Sequence, residues 1–315
     1  MKKIILSLIL LATSFGFSQN SSNNSLIELN AYVPEQIEGM SDIAINNLEN
    51  KLNQIVTTSG LGTTSESARF ILTANIDVLT KDITPTAPPM HAITLNVNLI
   101  IGDGIEGIKF STQSIVVKGV GENETKAYLA ALKSIKANDP QYQTFIEKGK
   151  AKIIDYYTKK CDFIIKEAKS LAVQNQYDSA LFELNAIPQV CTSCYDKVSQ
   201  LILSIYKQKK DKECKILLAD ATNAWNASQN EEGANIAAEY LGQIDPNASC
   251  INEVKALTKK IGDKILSDNK KEWDFKLKVY NDQAAYEREY LKAAKEIAVA
   301  YANTVSVSYN VIDWY

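Results

Sequence analysis

Phe70-Ile71-Leu72-Thr73-Ala74-Asn75-Ile76-Asp77-Val78 and, beyond a loop holding Pro85, Pro88 and Pro89, Ile93-Thr94-Leu95-Asn96-Val97-Asn98-Leu99-Ile100-Ile101 put an apolar side chain at every second position. A period of two places those side chains on one face of a pleated strand, so both stretches read as half-buried strands. Gly102-Asp103-Gly104 is a turn signal, and Ile108 to Val117 supplies the next strand. Upstream, residues 26 to about 33 alternate like a strand that Pro34 closes. Ser41 then stands where a helix cap belongs, and Ile45, Leu48, Leu52 and Ile55 recur at helical spacing before Gly60. Downstream, a helix from about Asn123 to Ala137 buries Ala127, Ala131, Leu132 and Ile135, and Asn138-Asp139-Pro140 ends it. The order β-α-β-β-β-α, with one apolar face per strand, predicts a mostly antiparallel sheet covered on that face by two helices.

Within this region the run Gly119-Val120-Gly121-Glu122-Asn123-Glu124-Thr125-Lys126-Ala127, leading into Ala130-Ala131-Leu132, resembles the small α/β domain of bacterial envelope lipoproteins that activate penicillin-binding proteins or assemble surface fibres. The resemblance covers roughly residues 26 to 138 and implies a cell-envelope protein. The lipidated Cys of that family is missing, so membrane attachment is not implied. Glycines at a helix entry also serve phosphate sites, but Glu122 and Glu124 put negative charge where the anion would sit.

From about Thr144 onward nearly every residue reads as helix. Tyr177-Asp178-Ser179-Ala180-Leu181, Leu184 and Ile187-Pro188 superpose on Ala234-Asn235-Ile236-Ala237-Ala238, Leu241 and Ile244, with Asp245-Pro246 after it, at a spacing of 57 residues. Cys194, Val198 and Leu201 then meet Cys250, Val254 and Leu257 at a spacing of 56. Two copies of a helical unit are present. Glu167-Ala168, Leu171-Ala172, Asn175-Gln176-Tyr177, Ala180-Leu181 and Leu184 resemble a tetratricopeptide helix pair, with additional helix expected around Lys207 to Ser228 because the spacing exceeds the standard unit. The interleaved charges of Lys207 to Glu213 read as a solvated face. A last helix is predicted from about Lys270 to Ala302, with Trp273, Leu277, Tyr280, Ala284, Leu291, Ala294 and Ile297 as its apolar stripe. In the tail, Val305, Val307, Tyr309 and Val311 alternate before Trp314 and Tyr315, a pattern suited to joining a sheet edge.

The opening residues read as an address. Lys2 and Lys3 precede the apolar run Ile4 to Ala12, and Gly16 and Ser18 stand at −3 and −1 before Gln19, the pattern of a cleavable secretory signal. The run is shorter than the roughly 20 residues that span a bilayer, so a soluble periplasmic or secreted protein is expected, with no membrane span after cleavage. The organisation is therefore a signal peptide (1–18), a linker (19–25), an α/β domain (26–139), a helical repeat domain (144–302) and a tail (303–315), in the α+β class.

A net charge of −3 and only two arginines, Arg69 and Arg288, argue against nucleic acid. The single histidine, His91, falls beside Pro88-Pro89-Met90, reads as a solvated loop residue, and rules out a multi-histidine metal site. Five cysteines (161, 191, 194, 214 and 250) in an exported chain predict disulfides with one thiol left over. Cys191-Thr192-Ser193-Cys194 is the sharpest local motif, and a local disulfide between Cys191 and Cys194 is the leading assignment, with free thiols, redox catalysis and metal binding as alternatives. Cys194 and Cys250 hold matched positions in successive units, which sets them about 10 Å apart, too far for a bond. No catalytic motif, cofactor site or metal set is read from the chain. The expectation is a non-enzymatic scaffold or adaptor for other envelope proteins, using the concave helical surface and the free sheet face. The alternatives are a thiol-disulfide oxidoreductase using Cys191 and Cys194, or a secreted structural subunit.

Overall fold

The computed structural model describes residues 27–34, 40–63, 68–279, 282–304, 309–311 and 314. The signal peptide and linker read from the sequence lie outside these residues, as does most of the tail.

The chain runs β1 (Leu29–Ala31), α1 (Asp42–Thr58), β2 (Phe70–Thr84), β3 (Met90–Asp103), β4 (Ile108–Gly121) and α2 (Glu124–Lys133), the expected α+β order. It continues as α3 (Pro140–Val173), α4 (Tyr177–Asn185), α5 (Thr192–Ala227), α6 (Glu231–Leu241), α7 (Ile251–Asn269) and α8 (Gln283–Thr304). The sheet order is β1-β2-β3-β4, with β1 parallel to β2 and the remaining pairs antiparallel. Leu72, Ala74, Leu95, Val97, Leu99 and Ile101 are all at 0% exposure on the inner face, which α1, α2 and α3 cover. Burying each large aliphatic among them favours the fold by about 1.5–3 kcal/mol. The outer face carries Asp77, Asn96, Asn98 and Ser114 in a hydrogen-bonded row, with both Asn side chains donating to Asp77 and the Ser114 hydroxyl to Asn98.

Gly119 and Gly121 have a packing explanation. A Cβ on Gly119 would stand 2.1 Å from the Ala127 carbonyl oxygen and 2.3 Å from the Ala131 nitrogen, so glycine lets α2 lie directly on β4. Asn123 caps that helix by accepting from the Lys126 amide, and Glu122 pairs with Lys126. Ser41 holds the N-cap position of α1, but its hydroxyl makes no capping bond.

Pro140 begins a helix rather than ending one. Its missing N–H needs no partner in the first turn, and Asp139 accepts from the Gln141 amide at 3.0 Å. Nor is the expected boundary between Asp139 and Thr144 a gap in packing, because α3 lays Tyr142, Phe145, Ile146, Ile153 and Tyr157 into the same core as the sheet. That core continues to Tyr206 in α5, and a second core starts at Cys214 in the same helix.

The two helical copies are a long helix, a short helix and a shared long helix. The additional helix expected around Lys207 to Ser228 is the continuation of α5, which runs unbroken to Ala227 and serves both copies. Each copy carries an equivalent disulfide, Cys161–Cys194 in the first and Cys214–Cys250 in the second, at sequence separations of 33 and 36. Cys194 is therefore bonded to Cys161, and Cys191 is a free, buried thiol. The expected Cys191–Cys194 bond is absent because the first turn of α5 carries Cys194 to within 5.8 Å (Cα–Cα) of Cys161. The Cys191 sulfur instead sits 3.8 Å from the Ile154 carbonyl oxygen.

The last helix is also shorter than its apolar stripe predicts. Lys270 ends α7 in the left-handed region (φ 52°), and the described residues up to Val279 are not helical. Trp273, Phe275 and Leu277 pack on the second core, whereas α8 returns to the first core with Tyr286, Tyr290 and Ala294. No helix among the described residues is long and apolar enough to cross a membrane.

Candidate functional site

The turn after β3 is built around one buried carboxylate. Asp103, at 0% exposure, accepts from the amides of Ile105 and Glu106 at 3.0 and 2.9 Å, which fixes the turn that Gly102-Asp103-Gly104 announces. Its other oxygen accepts from Arg69 Nε at 2.5 Å and from the Tyr157 hydroxyl at 2.8 Å. Arg69 comes from the entry to β2 and Tyr157 from α3, so the cluster ties the sheet to the first long helix. Arg69 also reaches Glu106 at 3.2 Å and lies 5.7 Å over the Phe182 ring of α4. Burial opposes the Arg69 charge, but Tyr157, Asp103 and Glu106 outweigh it and hold the guanidinium above its ordinary value. Burial pushes the Tyr157 hydroxyl well up, with Asp103 adding to the effect, and it also raises the Glu183 carboxyl despite the nearby Arg69.

Above this cluster opens a cleft of about 650 Å³. One wall is the backbone of Gly60, Leu61 and Gly62, and another is the end of α4 with Phe182 and Ile187. Arg69 and Ile105 contribute from the sheet turn, and α8 closes the remaining side with Lys295, Ala298 and Ala302. Leu61 and Thr63 bond to Leu29, making a parallel bridge between Leu29 and Gly62. In such a bridge the N–H and C=O of Gly62 point away from β1, and Gly62 is exposed on the cleft side. The cleft therefore sets the exposed Gly62 backbone beside apolar side chains, with a lysine at its rim.

The α8 wall is clamped at its other end. Asp245, in the loop after α6, accepts from Tyr290 at 2.6 Å and from Tyr286 at 3.3 Å, and the two rings lie 4.1 Å apart. Ser179 of α4 donates to the Tyr301 hydroxyl at 3.1 Å. Burial, then the bonds to Asp245, raise both clamp tyrosines, Tyr286 to about 12. An unfolded tyrosine titrates near 10, so the clamp favours the neutral phenols in the fold. Its stabilisation is whole below about pH 10 and is lost as pH rises toward 12. Urea midpoints measured at pH 9 and pH 11 are expected to fall with pH, and less steeply in Tyr290→Phe.

The residues singled out from the sequence lie elsewhere. Cys194 is in its disulfide, and burial raises the Cys191 thiol, the opposite of the lowering that an attacking thiol uses. His91 lies within β3, half-buried opposite Ile83 and Gly121, rather than in a solvated loop. Among the described residues no group of three or more His, Cys, Asp or Glu side chains is placed to hold a metal. Sequence reading missed the cleft because its walls come from segments far apart in the chain, from Gly60 to Ala302. The one local signal was the rarity of arginine.

No family model matches the chain, and no curated protein does. Among solved structures, a minor lipoprotein from Acinetobacter baumannii is similar at 12% identity, with 39% of this chain and 94% of that one covered and a TM-score of 0.27. A lipoprotein from Caulobacter crescentus is similar at 11% identity, over 40% of this chain and 90% of that one, with a TM-score of 0.25. Both share too little geometry with this chain for a role to be carried over.

Proposed function

We propose that this protein is an extracytoplasmic scaffold that holds an extended segment of another envelope protein in the cleft between sheet, α4 and α8. The observation that carries the reading is the outward backbone edge at Gly62, set beside the apolar walls of Phe182, Ile187 and Ala298. A peptide strand pairs with such an edge through its main chain while side-chain pockets select its sequence. The two disulfides favour an oxidising compartment, in keeping with the secretory signal read at the N-terminus. The buried, unactivated Cys191 weighs against the oxidoreductase alternative.

The test places a photo-crosslinking residue at Gln189, in the cleft, or at Lys169, on α3 outside it, in the full chain within its native envelope. The expected result is a discrete adduct from Gln189 alone, abolished by Ala298→Arg. Equal adducts from both positions, or an adduct insensitive to Ala298→Arg, would overturn the reading.

A further inference from the structure

Beyond Lys270, Glu272 to Val279 runs without helix or strand. Exposure alternates along it: Trp273, Phe275 and Leu277 are half-buried against the second core, while Glu272, Asp274, Lys276 and Lys278 face water. A period of two belongs to extended chain, so the segment lies on the helices as a strap. Its two aromatic rings stack, with centroids 5.0 Å apart.

Only side chains hold the strap down. Among the described residues, no hydrogen bond or ion pair ties 271–278 to a helix, and the one backbone bond there is internal, from the Phe275 amide to Trp273 O at 3.0 Å. Other connections between the helices are fastened by polar bonds. After α6 the Ser249 amide bonds Asp211 at 2.6 Å, and after α4 the Cys191 amide bonds Pro188 O at 3.0 Å.

The strap also has slack. It leaves the last turn of α7, and Tyr286, just beyond its far end, bonds Asp245 ahead of the first turn of that helix. The 19 residues of α7 span about 28 Å. Extended chain from Lys270 to Asp282 reaches roughly 40 Å. The strap can therefore lift while the Asp245 clamp, and with it the α8 wall of the cleft, stays in place.

We propose that the face of the second helical copy beneath Trp273, Phe275 and Leu277 is a binding site separate from the cleft, and that the strap is its displaceable internal occupant. The site takes an extended segment of a partner protein with large apolar side chains at every second position between charged ones. The strap itself shows which pattern fits. A partner segment already extended in its own fold loses less freedom on seating than the strap does, which favours the exchange.

Anisotropy of a labelled synthetic peptide of residues 270–278, added to the full chain, tests the site. The strap is a tethered competitor, so the peptide is expected to bind the triple variant Trp273→Ser, Phe275→Ser, Leu277→Ser at least about tenfold more tightly than wild type. A peptide of the same composition with its apolar residues moved to helical spacing is expected not to bind. Equal affinity for both proteins, no binding to either, or equal binding of the two peptides would overturn the proposal. So would loss of hydrogen-exchange protection in α7 of the triple variant without peptide, since a displaceable occupant leaves its site standing. Crosslinks from the wild-type strap to α7 of another copy would make a second copy the occupant and overturn the partner reading. None of these outcomes depends on the Gln189 crosslink, so the cleft and this site stand or fall separately.

Discussion

Asp103→Ala is expected to lower the stability of the protein by about 3–5 kcal/mol, because it removes the buried partner of the Arg69 ion pair and leaves that guanidinium with weaker compensation. The Arg69 side chain is only 12% exposed, and the substitution leaves it with Glu106, which is 44% exposed, as its ion-pair partner and with Glu183 nearby. The same change strands the Tyr157 hydroxyl and the two turn amides of Ile105 and Glu106. Burying donors without partners adds to the loss. Asp103→Asn should cost less, since an amide oxygen still accepts from the turn while the charge mismatch with Arg69 remains. Urea unfolding at neutral pH reads this as a lower midpoint at unchanged slope. A midpoint shift in Asp103→Ala no larger than that of an exposed control such as Asp155→Ala would show that the cluster does not hold the sheet to α3.

The strands were legible because a period of two is local information. Ile93 to Ile101 carries its buried inner face in its own alternation, and so do Phe70, Leu72 and Ala74, although Val78 at the far end of the first stretch is exposed, and the glycine turn between β3 and β4 is written in adjacent residues. Gly119 was legible as a glycine but not as a packing device, since the atoms that exclude a Cβ belong to the following helix. The Arg69–Asp103–Tyr157 cluster was not legible, because its members are 34 and 88 residues from Arg69 and no period connects them. The break after α7 escaped detection for a different reason. Trp273 and Leu277 keep helical spacing, and neither proline nor glycine interrupts them, yet their side chains serve the second core while α8 belongs to the first. The tail shows the same limit. Its alternation was visible, but Val311 and Trp314 are buried with Ile71 and Ile100 on the outer face of the sheet rather than at an edge, and a seat made of glycines 102, 104 and 107 leaves no mark in the tail itself.

The cysteine pairing gives the second large effect. Each disulfide closes a long loop, at separations of 33 and 36 residues, and loop-closure scaling assigns to each a stabilisation of roughly 3.5–4 kcal/mol. A bond between Cys191 and Cys194 would close a far shorter loop and stabilise by only about 1–2 kcal/mol. Cys161→Ser is therefore expected to lower the urea midpoint strongly, and Cys214→Ser to do the same, while Cys191→Ser stays within about 1 kcal/mol of wild type. Alkylation after unfolding without reductant should label Cys191 and no other cysteine, and non-reduced peptide mapping should join 161 to 194 and 214 to 250. The contrast between copies carries further information. Cys161–Cys194 lies in the core shared with the sheet, whereas Cys214–Cys250 lies in the second core beyond Tyr206. Loss of the second bond should loosen α6 and α7 while the strands keep their exchange protection, because the two cores communicate through α5 and the Asp245 clamp on α8. Equal loosening of β3 in Cys214→Ser would mean that the two cores melt as one unit and that the helical copies have no stability of their own.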